Sequence, residues 1–472
     1  MMEYSGYLLA GTPFIVAGVT LVWLRWPAIW SGLATLGAAL LGALLYPDLR
    51  ASGLGKAFVG GLGTSGEVLY VLFGGLLLYN FLSSGGAVEK VSEFLGNLEP
   101  EGEALALAVV VGVAPFFESV TGFGVAVVIS APILLAAGFS PIRAAVLASW
   151  GQCAVPWGAL GIGTVIGADL AGLSFDELSD WSALLSLPLF SVYAVSAVAL
   201  AGGWAGVKRR GFEAILLGLV AGTGTLLSSL LLVPELSGAL GGLAATGVFL
   251  AGRKRKLSGL NVPVKEILPY VFLLAVLIVA NGPAFIEEWL ESSVVLAGPG
   301  FALFLSAAFA ALLLGLDVKR AGASIRRTFW QWLPTAGAVV TFVLAGQVVA
   351  DSGAAEALAA GAVAFGSLYP LAAPVVGFLG GTLTGSNAAS NALFMPLQIE
   401  AARSLGSPEV LVAAVQNVAG SHASMLAPQR IALAATAVGI LGREGEVARA
   451  ALPPVAVSVT ILALLGMLFG PL

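Results

Sequence analysis

The sequence contains one cysteine, Cys153, and one histidine, His422, among its 472 residues. A single cysteine excludes an internal disulfide, and one His with one Cys cannot supply the ligand spacing of a structural zinc site. The chain also lacks a glycine-rich loop ending in lysine that would cradle a phosphate, and it carries no other soluble-enzyme signature. We therefore expect no metal, no cofactor, no enzymatic activity and no nucleic-acid partner.

Charged residues are also scarce. They make up 10% of the chain, against roughly 25% in an ordinary soluble domain. Hydrophobic residues make up 58%, and the mean hydropathy is +0.99. This composition predicts an all-α polytopic membrane protein whose surroundings are a lipid bilayer. The first basic residue is Arg25, so residues 7–23 lack the charged start of a cleaved signal and are expected to be a retained span.

The stretch 371–402 holds a small polar octet between two apolar arms, Thr384-Gly385-Ser386-Asn387-Ala388-Ala389-Ser390-Asn391. As one helix the stretch would be about 48 Å long, too long for a hydrocarbon core of roughly 30 Å, and each arm alone is too short to cross. A re-entrant hairpin with a polar tip satisfies both lengths. Residues 104–138 repeat the pattern around the tip Glu118-Ser119-Val120-Thr121-Gly122-Phe123-Gly124, which predicts a second hairpin.

Two further apolar stretches, 142–168 and 408–440, contain helix-breaking residues. The first is interrupted from Gly151 to Gly158 around Pro156, and the second from Val418 to Gln429, with Gly420 and Pro428 inside. Proline removes a helix donor and crowds the preceding turn. Each stretch is therefore predicted to be two half-helices with an unwound middle, an arrangement that transporters use to hold substrate.

The predicted elements occur twice in the same order, which indicates an internal repeat. Each repeat has three spans, an interfacial segment, a hairpin, a broken helix and a final span. The first repeat covers residues 1–202 (scaffold spans in 7–82, interfacial helix 86–103, span 182–202), two linking spans occupy 203–266, and the second repeat covers 267–472 (scaffold spans in 267–350, last span 450–469). The total is about 12 spanning helices plus two hairpins. For 86–103 a solvated loop is the alternative to a helix.

The basic residues predict the orientation of the chain. Three clusters, at 208–210, at 253–256 with Lys265, and at 319–327, are separated by even numbers of spans, so all can lie in the cytoplasm. The acidic loops 169–180 and 284–292 then lie outside, and so do both chain ends. On this count the first hairpin enters from the cytoplasm and the second from outside, so the repeats are inverted.

Polar residues at the tips and breaks are the candidates for substrate binding. Ser386 and Ser390, like Asn387 and Asn391, are four apart, so each pair would share a face if this arm is helical. Such side chains suit a small carboxylate or a dehydrated cation, and a helix N-terminus adds about half a positive charge. The alternative is helix packing by small polar residues. The full set of candidates is Ser119, Thr121, Gly122, Gln152, Thr384, Gly385, Ser386, Asn387, Ser390, Asn391, Asn417, Ser421, Gln429 and Arg430.

Glu118 and His422 are the candidates for proton coupling. An acid at membrane depth is a functional hypothesis by default, and burial favours its protonated form. The alternative for Glu118 is a static ion pair with Arg430. His422 could titrate near neutral pH, although a merely hydrogen-bonded histidine is at least as good an interpretation. Arg430 could fork a substrate carboxylate or neutralise Glu118, and the sequence leaves both roles open.

At these residues the chain resembles the L-lactate permease family over essentially its whole length. The resemblance rests on four strings, Glu118-Ser-Val-Thr-Gly-Phe-Gly124, Gly158-Ala-Leu-Gly-Ile162, Leu383-Thr-Gly-Ser-Asn-Ala-Ala-Ser-Asn-Ala-Leu-Phe394 and Met425-Leu-Ala-Pro-Gln429. It implies proton-coupled uptake of L-lactate, D-lactate or glycolate across the cytoplasmic membrane of a prokaryote. It also implies an elevator-type division into scaffold and mobile transport units. A homodimer is a family-level expectation.

The chain departs from the family pattern at several of these positions. Asn387 stands where better-known members have an acid, Ser424 where they have a lysine, and Gly151 where they have an asparagine, while Arg430 adds a base. Two other functions stay open beside proton symport. The neutral Ser and Asn tips would also suit a sodium-coupled carrier of another small organic anion. An anion channel is the alternative of another class, although the long spans lack the continuous polar stripe that a channel needs.

Overall fold

A computed structural model of the chain describes residues 4–45, 54–98, 102–122, 124–253, 261–280 and 298–470. Within these ranges the regular secondary structure is helical. The first half contains α1 (Tyr4–Gly18, continued by a π-helix at Val19–Trp23), α2 (Ala28–Leu45), α3 (Leu54–Ser84), α4 (Ala87–Leu98), α5 (Gly102–Ala108), a π-helix (Val109–Val113), α6 (Ala114–Thr121), α7 (Val125–Ala136), α8 (Pro141–Trp150), a 3₁₀ turn (Val155–Trp157) and α9 (Ile162–Ala171).

The second half of the chain also combines short and long helices. It contains α10 (Phe175–Leu231), a 3₁₀ turn (Pro234–Leu236), α11 (Ser237–Ala251), α12 (Val264–Ala280), α13 (Gly298–Leu314), α14 (Val318–Asp351), α15 (Ala354–Ala362), a 3₁₀ helix (Val363–Leu368), α16 (Tyr369–Thr384), α17 (Asn387–Leu405), α18 (Glu409–Ser424), α19 (Pro428–Ala437) and α20 (Glu444–Phe469). The predicted acidic loop 284–292 lies outside the described residues.

Seven helices in the described ranges are long and apolar enough to cross a membrane, or eight if α18 and α19, bent by 41° at their break, form one span. The seven are Ala28–Leu45, Leu54–Ser84, Gly102–Thr121, Phe175–Leu231, Val318–Asp351, Ala364–Thr384 and Glu444–Phe469. The chain is therefore an all-helical, multi-pass membrane protein. The count of about 12 spans stays a prediction.

Both predicted hairpins form as pairs of contacting helices, and their re-entrant course in the membrane stays a prediction. The expectation that each arm is too short to cross is wrong for the first arms, since Gly102–Thr121 and Ala364–Thr384 are both long and apolar enough. The continuous run from α5 to α6 contacts α7, and α16 contacts α17. Each turn is made by glycine in the left-handed region, with φ of +63° at Gly122, +76° at Gly124 and +63° at Gly385. Glycine adopts these angles without the steric penalty that a β-carbon brings. The second tip is shorter than the polar octet suggested, because α17 already begins at Asn387.

The two broken helices also form, but the second break is shorter than predicted. In the first broken helix the interruption covers residues 151–161, between α8 and α9. The second covers only 425–427, so the prediction of an unwound stretch from Val418 is wrong. Gly420 was expected to break the helix, but it lies within α18. Its role is close packing with α16, since a β-carbon on Gly381 of α16 would collide with the Gly420 carbonyl oxygen. Pro428 is the first residue of α19, where its missing N–H costs nothing.

The sequence predicted a basic cytoplasmic loop between the span 182–202 and the first of the two linking spans in 203–266, and the structure has a helix there. Helix α10 instead continues through a kink at Gly203, which has φ of +61°. Glu103 lies against Gly202 at this kink and forms ion pairs with Arg209 and Arg210. The charges of the two arginines are balanced by Glu103 while both residues remain helical, so this basic cluster does not require a loop. The segment 86–103 is helical as predicted, from Ala87 to Leu98, with Val91 and Leu95 buried.

The long helices α3 and α14 pack against each other and against both hairpins. Each approaches a hairpin backbone through a glycine. A β-carbon on Gly75 of α3 would lie 3.3 Å from the carbonyl oxygen of Val120, and one on Gly346 of α14 would collide with the carbonyl oxygen of Ala392. Small residues allow helix backbones to approach closely where the lipid offers no hydrophobic driving force. These contacts pack the first hairpin against α3 and the second against α14.

Candidate functional site

The two hairpin tips and the first break meet around a small, partly open cavity of about 30 Å³. Five of the predicted site residues line it, Glu118, Gly122, Ser386, Asn387 and Arg430. The rest of the lining comes from the first break, α9 and α17, namely Val155, Gly158, Ala159, Ile162, Gly163 and Ala388. A cavity of this size holds one or two water molecules, which is less than a short organic acid requires. The walls must part for such a ligand to bind.

The backbone of the first break caps the first hairpin tip. The amide of Ala159 donates to the carbonyl oxygen of Glu118 at 3.1 Å, and the amide of Leu160 donates to that of Ser119 at 2.6 Å. Both donors lie in the left-handed region, with φ of +42° and +58°, which is strained for residues with a β-carbon. The Leu160 amide thus supplies a partner to the Ser119 carbonyl at the end of α6, and the Glu118 carbonyl accepts from Ala159 in addition to the Gly122 amide, which donates to it at 2.8 Å.

Side chains of α19 cap the second tip. Gln429 Nε2 donates to the carbonyl oxygen of Thr384 at 2.5 Å, and Arg430 Nε donates to that of Gly385 at 3.0 Å. Both side chains come from the first turn of α19, directly after Pro428. The two tips are therefore capped in different ways, the first by amides of the chain and the second by side chains. Ser386 caps α17 by accepting from the amide of Ala389 at 3.3 Å.

Arg430 also reaches across to the first hairpin. One of its terminal nitrogens donates to Gln152 Oε1 at 2.7 Å and lies 3.6 Å from Glu118 Oε1. The side chain of Glu118 is 1% exposed and that of Arg430 is 12% exposed. The backbone amides of Gly124 and Ala126 also face the carboxyl group. A buried carboxylate needs such compensation, and the guanidinium supplies it together with a link between both tips. Glu118 Oε2 has no hydrogen-bond partner among the described residues.

Asn417 joins the second hairpin to the first broken helix. It lies on α18, with its side chain fully buried. Its amide nitrogen donates to Thr164 Oγ1 at 3.0 Å and to Ser182 Oγ at 2.9 Å. Its oxygen accepts from the amide nitrogens of Asn387 and Asn391, both at 2.8 Å. Four helices, α9, α10, α17 and α18, therefore share one hydrogen-bond network beside the cavity.

Several predicted site residues lie away from the cavity. Ser119 and Thr121 donate to carbonyl oxygens of their own helix, at 2.8 Å and 2.6 Å. Ser390 packs against Gly380 and Gly420, because a β-carbon on either would lie within 2.6 Å of its hydroxyl, so it serves helix packing. Ser421 is buried in α18. Within the described residues no cluster of His, Cys, Asp and Glu is large enough to hold a metal ion.

His422 is also helical and not part of a break. Its Nε2 lies 3.1 Å from the carbonyl oxygen of Cys153, and its ring packs edge-on against Tyr193. It is 1% exposed and is absent from the cavity lining. The geometry supports the interpretation of His422 as a hydrogen-bonded core residue, which the sequence had left open.

Three buried polar residues of this core were not among the predicted site residues. Thr164 and Ser182 hold Asn417, and Gln398 forms a separate network, accepting from Tyr369 at 2.5 Å and donating to Gln416 at 3.0 Å. The signal available for Gln398 was a lone polar side chain in an apolar arm, because polar groups within the membrane are costly. Thr164 and Ser182 left no such signal, since hydroxyl side chains are common in membrane helices.

The sequence also matches a known protein family over nearly its whole length. The sequence model of the L-lactate permease family matches residues 6–296 and 290–472, which together span nearly the whole chain. The chain belongs to this family. The L-lactate permease of Bacillus subtilis is 26% identical, with 94% of this chain and 92% of that protein covered. The glycolate permease GlcA of Escherichia coli is 25% identical, with 94% and 91% covered. The L-lactate permease of Streptococcus iniae is 26% identical, with 72% and 78% covered.

Among solved structures, the MtrF protein of Neisseria gonorrhoeae, described as one of a class of antimetabolite efflux pumps, aligns with a TM-score of 0.52 and 16% identity. The alignment covers 98% of each chain. At this level of identity the likeness concerns the fold alone. This member of the L-lactate permease family therefore shares its overall helical arrangement with a membrane transporter from outside the permeases named above.

Proposed function

We propose that this chain is a secondary transporter that takes up a small 2-hydroxy monocarboxylate, lactate or glycolate, together with protons across the cytoplasmic membrane of a prokaryote. Membership of the permease family supports a transporter of small organic anions rather than an enzyme. The single observation that carries the proposal is the small cavity between the two hairpin tips, which is lined by one acid, Glu118, and one base, Arg430, with their charged groups 3.6 Å apart. Arg430 attracts a carboxylate, and Glu118 carries the proton.

The pairing of these two groups gives a coupling scheme. An arriving carboxylate competes with Glu118 for Arg430, since the planar guanidinium group can donate two parallel hydrogen bonds to one carboxylate. Two carboxylates at one base repel each other unless one is protonated. Protonation of Glu118 therefore frees Arg430 and removes the repulsion at once. By reciprocity the anion raises the affinity of Glu118 for the proton by the same factor.

Uptake into proteoliposomes tests the proposal directly. We expect labelled lactate or glycolate to concentrate inside when the interior is made alkaline. With one proton per anion, a gradient of one pH unit sustains about a tenfold ratio of inside to outside concentration. A protonophore should abolish this accumulation, and protein-free liposomes should show none.

Two other outcomes would identify the alternative functions. Accumulation that follows an imposed sodium gradient and ignores the pH gradient would make the protein a sodium-coupled carrier, which the neutral carboxamides around Asn417 would suit. Uptake that only equilibrates the anion, with no accumulation on either gradient, would indicate a channel. Failure to move any of these acids would refute the substrate class.

We further propose that the chain is built as two inverted repeats that work as an elevator. The scaffold would consist of the spans in 7–82 and 267–350, and each transport unit of a hairpin, a broken helix and the following span. Support comes from the like positions of Gly75 and Gly346, each facing a hairpin backbone, and from Gly122 and Gly385 at the two tips. The repeats would be 1–202 and 267–472, with 203–266 linking them and a homodimer as the expected assembly.

Cysteine labelling tests the inverted topology. In a Cys153→Ala background, Ser84→Cys should react only with reagent on the cytoplasmic side, and Asp176→Cys only with reagent outside. Both positions are exposed, and the native cysteine is buried. The opposite pattern at both positions would reverse the orientation, and labelling of both from one side would exclude the predicted number of spans between them. Positions 255 and 287, equally suited on sequence grounds, lie outside the described residues.

A further inference from the structure

One polar atom beside the cavity is not explained by the coupling of Glu118 and Arg430. It is the side-chain oxygen of Asn387, the first residue of α17, whose side chain lines the cavity. Asn387 is only 5% exposed, and this oxygen has no hydrogen-bond partner among the described residues. The oxygen of Asn391, one turn later, is also without a partner among them, but of the two residues Asn387 alone is part of the cavity lining. Leaving a buried acceptor without a donor is costly, so the position needs a reason.

The neighbouring hydrogen bonds determine whether the side-chain nitrogen or the side-chain oxygen of Asn387 faces Asn417. Thr164 Oγ1 donates its only hydrogen to the carbonyl oxygen of Pro156 at 2.6 Å, a much shorter contact than the 3.4 Å to Asn417 Oδ1. A backbone carbonyl can only accept. The Thr164 oxygen must therefore accept from Asn417, which turns the amide nitrogen of Asn417 toward α9 and its oxygen toward α17.

A second backbone carbonyl independently confirms this direction. Asn391 donates both to the carbonyl oxygen of Gly163 at 2.9 Å and to Asn417 Oδ1 at 2.8 Å. Asn387 also directs its amide nitrogen at Asn417 Oδ1, at 2.8 Å. With its nitrogen turned toward Asn417, Asn387 directs its side-chain oxygen away from that residue, while the amide nitrogen keeps a second hydrogen. An amide assignment that would otherwise be ambiguous is settled by two obligate acceptors.

We propose that Asn387 Oδ1 accepts a hydrogen bond from the 2-hydroxyl group of the substrate and so selects 2-hydroxy acids. The proposal rests on the transport of small monocarboxylates argued above and adds the group that recognises the 2-position. A 2-oxo acid has only an acceptor there, and an unsubstituted acid has neither donor nor acceptor, so each leaves Asn387 Oδ1 unpaired. Sites built to bond a hydroxyl reject analogues without one for this reason. A neutral carboxamide accepts the bond without repelling the substrate carboxylate.

Competition in proteoliposomes tests this assignment. Counterflow of labelled lactate is measured against unlabelled lactate, glycolate, propionate and pyruvate. In the unsubstituted protein lactate and glycolate should compete at least about tenfold better than propionate and pyruvate, as expected for one hydrogen bond. Asn387→Leu, of similar size, should reduce this preference by about the same factor. Asn387→Asp keeps an oxygen at the cavity and should retain the preference, even if overall affinity falls. Asn387→Ala also removes the oxygen, and it takes the place of the leucine variant, with the same expected loss of preference, if that variant does not fold.

Asn391→Leu is the matched control, because Asn391 lies one turn later on α17, donates to the same oxygen of Asn417 and is absent from the cavity lining. It should keep the preference for hydroxy acids. The assignment is overturned if the unsubstituted protein does not distinguish lactate from propionate, if Asn387→Leu retains the preference, or if Asn391→Leu loses it to the same extent. If no acid competes with labelled lactate because lactate does not move at all, it is the proposed function that has failed.

Discussion

Glu118→Gln is expected to abolish accumulation driven by a pH gradient and to leave exchange of substrate intact. Glutamine has the shape of protonated glutamate and cannot release a proton. Glu118 is 1% exposed, lines the cavity and has its Oε1 3.6 Å from Arg430, so the variant keeps the geometry and removes only the charge. Without a titrating acid the coupling between proton and anion, typically about 1–3 kcal/mol, is lost. The inside-to-outside ratio at a one-unit gradient should fall from about ten to about one.

Two assays on one preparation separate the outcomes. Accumulation is measured under an imposed pH gradient, and counterflow is measured without one. Glu266→Gln is the matched control, because Glu266 is also a poorly exposed glutamate, with its side chain 7% exposed and paired with Lys90 at 2.6 Å, and it lies away from the cavity. It should retain both activities. If Glu118→Gln still concentrates substrate, the proton travels on another group, and His422 becomes the next to test. If counterflow is lost too, Glu118 is a structural partner of Arg430.

Arg430→Met is expected to destabilise the folded protein by about 3–5 kcal/mol, the range for removing one partner of a buried ion pair. The substitution leaves the carboxyl group of Glu118 without its counter-charge. It also removes the donors that Arg430 supplies to Gly385 and Gln152. The double variant Glu118→Gln, Arg430→Met should recover much of the loss, because no buried charge is left uncompensated. Thermal unfolding in lipid nanodiscs compares Arg430→Met and the double variant with the unsubstituted protein.

Arg403→Met gives the comparison at a surface pair. Arg403 is 49% exposed and pairs with Glu400 at 2.7 Å and Glu409 at 3.0 Å, and exposed pairs contribute about 0–1 kcal/mol. A loss as large as that of Arg430→Met would show that any arginine substitution harms this protein. If Arg430→Met is as stable as the unsubstituted chain, or if adding Glu118→Gln restores nothing, Arg430 does not compensate Glu118 and acts on the substrate alone.

Much of the helical plan was predictable because local rules decide it. Glycine with positive φ ends α6 and α16, so the turn at each tip follows from residues next to it in the sequence. The first break followed from Gly151 and Pro156. The second was placed too early, because Gly420 was taken as a breaker. Glycine in a membrane helix can equally serve close packing, and only the position of Gly381 on the neighbouring helix distinguishes the two uses.

The site was less predictable than the fold. Ser390 and Asn391 are adjacent in the sequence and equally polar, yet one packs among glycines and the other bonds Asn417. Helix α17 turns about 100° per residue, so neighbours face different helices, and the sequence does not say which helix lies on which side. His422 stood out as the only histidine, but its place beside Tyr193 and Cys153 depends on how α18 packs against α10 and the first break.

The sequence by itself determined that this chain is a helical membrane protein with two polar tips and two broken helices. Apolar length, proline and glycine act within a few residues, so those features need no knowledge of distant parts of the chain. Only the tertiary structure decided that Arg430 reaches Glu118 across 312 positions of sequence, and that the carbonyl of Pro156, through Thr164 and Asn417, orients Asn387. Charges and hydrogen bonds act over a few ångströms, and which groups come that close is set by the packing of the whole chain.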